Sequence, residues 1–579
     1  MRILQLGGAG VFGVFFMIAC TTMSQASRSP ASDESSIHIV ATTDVHGYLL
    51  QQKNPDGSSF GGIDVMSGLF QIARQADPET LLLDSGDLYQ GTILSNTSDG
   101  ATVITWMNYA GYAAASIGNH DFDFGPGGGD AQVRKPGEDP LGVLKKRIAQ
   151  AKFKFLGANI CSLDDDPGQC ADAKTFQVAP FTQPYVLTTV HGIKIGILGI
   201  TTPETPETTF PTNVARLRFQ PMLETIERFV AELKTQGAQS VILVMHEGLM
   251  CPDDKCDPQE ALFKTIDGLA PETRKMIPII LAGHTHNQIN MDYNGIRIMI
   301  NGSYAHTFGY ITLTPQAGGG LELANALSVP ISASKPFLGQ TAKLDPQPLQ
   351  LIAGDIAGAN AKSSEVVGKL ASPLTLEKDK GESTLGDFVT DALRLCAVPD
   401  CTKSADIAFQ NANGLRIERL NAGQVTYGDI FEMLPFDNAI AEIAMKGSQI
   451  HDLVDTWYSY NHGNMSETSG LHITFSPGNT HKRTITNFAG QSEEVDDPIS
   501  AITMSDGSPF DEDTVYRVVM ADFLAVGGSG SGFVMKNFMP APVIHQERNL
   551  RDAVMDYLHA HSSEALDYSK LGGHRLVSE

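Results

Sequence analysis

The chain has 579 residues, 42% hydrophobic and 18% charged, with a formal net charge of −25. This length exceeds one ordinary core and predicts two large domains, and the composition excludes wholesale disorder. The acidic balance argues against a nucleic acid polymer as partner, because affinity there rests on neutralising phosphates; a small anionic substrate stays open where metals or a few arginines reverse the local potential.

The chain opens with a targeting pattern. Arg2 precedes an apolar run over residues 3–19 that is too short and too rich in glycine for a comfortable membrane span. The run ends in Met17-Ile18-Ala19-Cys20, which resembles a bacterial lipobox. Residues 1–20 therefore read as a lipoprotein-type signal peptide with Cys20 the lipidated residue. The alternative is an ordinary cleaved signal with an incidental cysteine. Residues 21–35 are rich in Ser, Thr and Ala and read as a flexible tether. The expectation is an exported protein of the periplasm or cell envelope that meets a membrane only through its N-terminal lipid.

From residue 36 to about 335, apolar runs alternate with helical patterns, which predicts a layered α/β domain. The runs include 37–42, 80–83, 153–156, 193–200, 240–245 and 276–281; residues 221–235 have the spacing of an amphipathic helix. Five short polar blocks follow such runs: Asp44-Val45-His46, Gly86-Asp87, Gly118-Asn119-His120-Asp121, His246, and Gly283-His284-Thr285-His286. In α/β folds, ligands gather at the C-terminal ends of strands. Strand alternation would point Asp44 and His46 to one side. Asp87 has two oxygens and can bridge two ions, and Gly86 lets the backbone turn close to them. Asn119 offers an amide oxygen; His246, His284 and His286 offer imidazoles. Imidazole with carboxylate suits Zn, Mn, Fe or Co better than Ca. Alone, each block is weak, since Asp-x-His arises by chance and a strand-end His is usually structural. Together they predict two divalent metal ions (Zn, Mn or similar) and hydrolysis by metal-activated water.

After Gly125 a polar stretch, 126–140, reads as a surface insertion, and His191 as a plain turn residue. Residues 336–365 read as a linker whose helix, 347–361, places Leu349, Ile352 and Ile356 on one face. A second domain spans 366–579, with a helix at 384–394 and a flexible glycine-rich loop at 527–532. Apart from Cys20, the cysteines form three close pairs: Cys161 with Cys170, Cys251 with Cys256, and Cys396 with Cys401. Such loops suit disulfides in an oxidising compartment. Metal binding is the competing reading, weakened because no pair has C-x-x-C spacing.

The wording around these blocks resembles the calcineurin-like metallophosphoesterase signature. It is most similar to the bacterial 5'-nucleotidase family, which includes UDP-sugar hydrolases and 2',3'-cyclic-nucleotide phosphodiesterases. The residues that carry this are 84–92 (Asp-Ser-Gly-Asp-Leu-Tyr-Gln-Gly-Thr), 118–123, Gly157-Ala158-Asn159-Ile160 and 283–286. The resemblance implies a four-layer αββα domain, a linking helix and a second α/β substrate domain. It assigns Asp44, His46, Asp87 and His286 to one metal, and Asp87, Asn119, His246 and His284 to the other. His120 would face the phosphate and Asp123 would orient it; the alternative for Asp123 is a turn residue before Phe124-Gly125. In the second domain, 382–387, 411–416, 428–436 and 522–528 resemble the family's substrate-binding segments. By that match Phe436 and Phe523 sandwich a nucleobase, Arg416 contacts phosphate or ribose, and Asn411 bonds the base or sugar. Read without the resemblance, either phenylalanine is a core plug. Two departures stand out. Ser529 replaces an acidic residue of the family loop, and Lys378 to Lys380 stand where the family carries an Arg. The implied activity is release of phosphate from 5'-nucleotides, with cyclic nucleotides or UDP-sugars as alternative substrates. A reading of another class is a surface lipoprotein that binds nucleotides or proteins through a relict site.

Overall fold

Strands buried on both faces read as unbroken apolar runs, and Ile37–Thr42 is one, with all six residues buried. It lies inside a six-stranded sheet, parallel to Leu81–Asp84 and antiparallel to Thr307–Pro315. Ala114–Ser116 and Lys154–Leu156 extend the parallel side, and Leu321–Pro330 closes the other edge. A second six-stranded sheet runs Gln288–Tyr293, Ile296–Asn301, Ile279–Ala282, Ser240–His246, Ile193–Thr201, Tyr185–Val190; its four inner strands are parallel and its edge strands antiparallel.

Alternation along each strand builds the layers. Ile37, Ile39 and Ala41 meet Ile195, Ile197, Ile242 and Val244 between the sheets. Val40, facing the other way, packs under the helices Ile63–Ala76 and Ala101–Ala110 through Phe70 and Trp106. Behind the second sheet, Leu198, Val241 and Leu243 pack against Met222–Thr235 and Ala261–Gly268. Each fully buried aliphatic side chain contributes about 1.5–3 kcal/mol. The expected αββα sandwich is what forms.

The structure is a computed structural model that describes residues 35–578 apart from 55–56, 128–136, 165–166, 252–254, 377–381, 461–466, 477–480, 487–491, 527–538 and 572–574. The expected signal peptide with Cys20, residues 21–34 of the tether, residues 128–136 of the insertion, the Lys378 to Lys380 stretch and Ser529 with its loop lie outside the described residues. Among the described residues no helix is long and apolar enough to cross a membrane.

The helix expected over 347–361 is two helices, Gln347–Leu351 and Ala353–Ser363. Ile352 breaks them, with φ −117° and ψ 18°. Its side chain is buried in the first domain's core, beside the partly buried Leu349 and Ile356. His191 is more than a turn residue: its Nε2 lies 3.0 Å from Asp77 Oδ1 and its amide donates to Glu79. The cysteines join as the three expected disulfides: Cys161 bonds to Cys170, Cys251 to Cys256, and Cys396 to Cys401. The competing reading of these six residues as metal ligands is thereby set aside, because each sulfur is spent on its neighbour. Cys161 and Cys170 are both buried in the core behind the second sheet, and Cys251 and Cys256 pack at its edge. Cys396 is buried in the second domain's core, with Cys401 packed against it.

A five-stranded sheet organises the second half, in the order Glu467–Ser469, Ile407–Gln410, Val515–Ala521, Ala439–Lys446, Val543–Asn549. The helices Thr384–Leu395 and Leu550–Ala560 cover it. One helix, Tyr427–Met433, reaches back. Thr426 and Asp429 cap its N-terminus reciprocally, and Phe431 is buried in the first domain's core. Just beyond it, the Pro435 carbonyl accepts from Gln90 Nε2 and Asn96 Nδ2, both at 3.2 Å. These contacts set residues 434–436 against the C-terminal edge of the first sheet.

Candidate active site

The C-terminal ends of the parallel strands in both sheets converge, and the candidate donors lie there. Asp44 and His46 do not share a strand, as alternation had suggested. The strand ends at Thr42, and both residues have left-handed φ of 49°. Their amides instead donate to Gly86 O and Asp87 O, each at 3.0 Å. Asp87 (57°), His284 (74°) and His286 (60°) are left-handed as well. Asp, Asn and His tolerate this region better than most residues, but each such residue costs on the order of 1–3 kcal/mol. Gly86 (φ 98°) and Gly118 allow the loops to touch: a Cβ on Gly118 would lie 2.2 Å from Asp87 Oδ1.

The structure brings the seven candidate donors together in two overlapping groups. Asp44, His46, Asp87 and His286 form one; Asp87, His246 and His284 form the other, with Asn119 Oδ1 at 3.0 Å from His246 Nε2 and 2.9 Å from His284 Nδ1. His46 Nε2 and His286 Nε2 approach to 3.0 Å. Asp87 Oδ2 faces both groups, 3.6 Å from His46 Nε2 and 3.1 Å from His246 Nε2, and it is buried with no hydrogen-bond partner among the described residues. The opposite edges of the rings are fixed by backbone: His46 Nδ1 lies 2.7 Å from Gln90 O and His246 Nδ1 2.8 Å from Ser85 O. A carbonyl at one ring nitrogen leaves the other free to coordinate.

Burial pushes His46 and His284 down to about 3 and holds His286 well below its usual range, which keeps these imidazoles neutral. Burial also raises Asp44 to about 7. Burial opposes protonation of His246, but Asp87 and Asp44 outweigh it and lift it to about 10. The carboxylates around His246 thus draw positive charge to this point, a role a divalent cation would fill. Neutral imidazoles, carboxylates, an amide oxygen and an unsatisfied buried oxygen are a donor set that fits such ions.

His120 sits at the mouth of the site, on the 3-10 turn His120–Phe122. Its amide donates to Asp87 Oδ1 at 2.8 Å, and its Nδ1 lies 2.7 Å from Asp123 Oδ2. Thr209 Oγ1 donates to the other oxygen of Asp123 at 2.6 Å. Burial disfavours the imidazolium, but Asp123 and Asp87 prevail and raise His120 above its ordinary value. The second domain supplies the remaining wall. The Phe436 ring stacks on His120 (centroids 5.3 Å, 29°), the Arg416 guanidinium lies 5.1 Å from the Phe436 ring centroid, and Arg416 Nη2 is 3.5 Å from His120 Nε2. Phe523 borders the same cavity, of about 920 Å³, but meets Phe210 edge-on at 6.5 Å. Asn411 lines it too.

Several residues that organise the site are not among the candidates the sequence singles out. Thr209 is one; Tyr304, packed on His46 and His286, is another. Two more lie inside the motifs. Asp84 accepts from Thr42 Oγ1 and Gly86 N, and Asp121 accepts from Leu88 N and Gly118 N. The Asp-x-x-Asp spacing and the Asp after His120 were the available clues.

Residues 37–288 match the family model for calcineurin-like phosphoesterases, and residues 362–537 match that for the 5'-nucleotidase C-terminal domain. Fold and site together define a calcineurin-like phosphoesterase domain joined to a 5'-nucleotidase C-terminal domain, with a donor set suited to divalent ions. The chain is 24% identical to human 5'-nucleotidase over 86% of its own length and 85% of that protein's. It is 24% identical to the cell wall protein Lmo0130 of Listeria monocytogenes over 88% of its own length, and spans 66% of that relative. In fold it is similar to the 5'-nucleotidase precursor of Thermus thermophilus, with a TM-score of 0.71 at 22% identity over 94% and 99% of the two chains. The chain belongs to the 5'-nucleotidase family of two-domain metallophosphoesterases.

Proposed function

We propose that this protein removes phosphate from 5'-nucleotides outside the cytoplasm, with two divalent ions. Export, attachment through Cys20 and a division of labour between residues 36–335 and 366–579 belong to the same reading. The observation that carries it is Asp87 Oδ2, buried between two donor groups with no hydrogen bond from the described residues. Asp44, His46, Asp87 and His286 would hold one ion and Asp87, Asn119, His246 and His284 the other, and the pair would supply an activated water and charge stabilisation for displacement at phosphorus.

The chain's own residues do the rest. His120, whose protonated form Asp123 favours, would stabilise charge on the phosphate or hand a proton to the leaving oxygen. Arg416 brings a forked donor to the phosphate from the opposite wall. Phe436 and Phe523 offer apolar faces to a base, worth about 1–3 kcal/mol per stacked base. The cavity, about 920 Å³, is near the upper end for small-molecule sites. That roominess favours a second reading in which the leaving group is larger, as in a nucleotide sugar.

The test is phosphate release from a panel of nucleotides, cyclic nucleotides and nucleotide sugars, with Mn or Zn added. Release from 5'-monophosphates above the rest is expected. No phosphate release from any of them would retire the proposal, and no ring-opened or cleaved product either would leave a binding protein with a relict site.

A further inference from the structure

A second group of donors lies in the second domain, outside the lining of this cavity. The helix Gly447–Tyr460 carries His451 and Asp455 four residues apart, on one face. Asp497 follows the hairpin formed by Lys482–Thr486 and Ser492–Asp496. His451 Nε2 lies 3.6 Å from Asp455 Oδ2 and 3.8 Å from Asp497 Oδ1. Its Nδ1 meets Glu512 Oε1 at 3.0 Å. A carboxylate behind an imidazole is how metal-binding histidines are usually held.

Polar satisfaction fails here in a directed way. Asp455 is fully buried, yet among the described residues neither of its oxygens has a hydrogen-bond partner, and neither does His451 Nε2. A buried carboxylate without such partners is costly. Arg483 is committed to Asp452, with Nη2 at 2.9 Å from Oδ1, and comes no nearer than 3.6 Å to Asp455 Oδ2. Asp452, Asp455, Asp497 and Glu512 thus surround one guanidinium and one imidazole. Burial, then the charge of Asp497, push the Asp455 carboxyl up to about 8, which marks a shortage of positive charge.

We infer that His451, Asp455 and Asp497 form a structural site for one divalent transition cation, separate from the candidate dinuclear centre. Ligand atoms of a tetrahedral ion at about 2.0–2.2 Å lie roughly 3.3–3.6 Å apart, close to the spacing here. One imidazole with two carboxylates suits Zn, Mn or Co. The hairpin gives the site its purpose. It is a sheet of two strands with its own small core, Ile485 and Val495, and an isolated hairpin is marginal in water. An ion bound by Asp497 at the hairpin's end and by two residues of the helix fastens the one to the other.

The test uses the full chain carrying Asp87→Asn and His284→Ala, which disables the first centre, titrated with Co²⁺ alone. One tight equivalent, a visible d–d absorption and a rise in Tm of about 5 °C or more are expected. All three should vanish on adding His451→Ala or, as a milder change at a partly exposed carboxylate, Asp497→Asn. In the otherwise unsubstituted chain, His451→Ala should leave phosphate release in saturating Mn²⁺ within twofold. No Co²⁺ bound by the disabled chain, or equal binding with and without His451→Ala and Asp497→Asn, overturns the inference.

Discussion

His120 is fixed by its amide, its Nδ1 and its ring face, so its reactive Nε2 has one direction to point. Replacing it by Ala should lower kcat by about 10²–10⁴-fold, with the metal content of the purified protein unchanged; unaltered turnover would remove it from the chemistry. Asp123 acts through it. His120 must be protonated to act as an acid, and Asp123 raises its pKa, so the active form persists further into the alkaline range. Asp123→Asn should move the alkaline limb of the kcat–pH profile to lower pH. Metal content should not respond. A profile that merely drops in height would assign Asp123 a packing role. Phe436→Ala should raise KM by about 5–150-fold, the equivalent of one lost stack. The residues that repeat a motif could be read from the sequence, whereas Thr209 could not. Nothing local marks a threonine whose one task is to bond a carboxylate 86 positions earlier.

Among the elements, the long buried strands were the most legible, because a parallel sheet covered on both faces leaves only apolar runs. Ala114–Ser116 was not, since Ala-Ala-Ser has little strand preference and its burial comes from its neighbours. The break at Ile352 was hidden for a similar reason: helical spacing continued through it, and only burial against the first domain's core accounts for it. The loops after the strands went further astray. Alternation placed Asp44 and His46 on a strand, whereas both occupy left-handed turns clipped to residues 86–88. A left-handed backbone restricts the site twice over, because Asp and His are both ligands and among the residues that tolerate that conformation. Tight loop packing should make Gly118→Ala severe. Its new Cβ would fall 2.2 Å from Asp87 Oδ1 and 2.4 Å from Asp87 N. Loss of bound metal and activity is expected, with the far-UV circular dichroism retained.

On the scale of the whole molecule, the two halves share a core through Phe431, and the first half holds the second by the Pro435 carbonyl. Gln90→Met removes one of these two hydrogen bonds, worth about 0.5–1.5 kcal/mol. It should lower kcat/KM by about 2–13-fold while leaving metal content intact. An unchanged kcat/KM would mean that the grip on Pro435 does not position Phe436. The wide spread of the donors has a further consequence, for how the protein comes to be active at all. Asp44 and His286 are separated by most of the first domain, and their loops meet only when both sheets have closed on each other. Chains dominated by such distant pairings fold slowly, and those of this size pass through partly ordered intermediates. In refolding from denaturant with metal present, secondary structure should therefore return well before enzymatic competence. The delay between the two signals would time the closing of the sandwich.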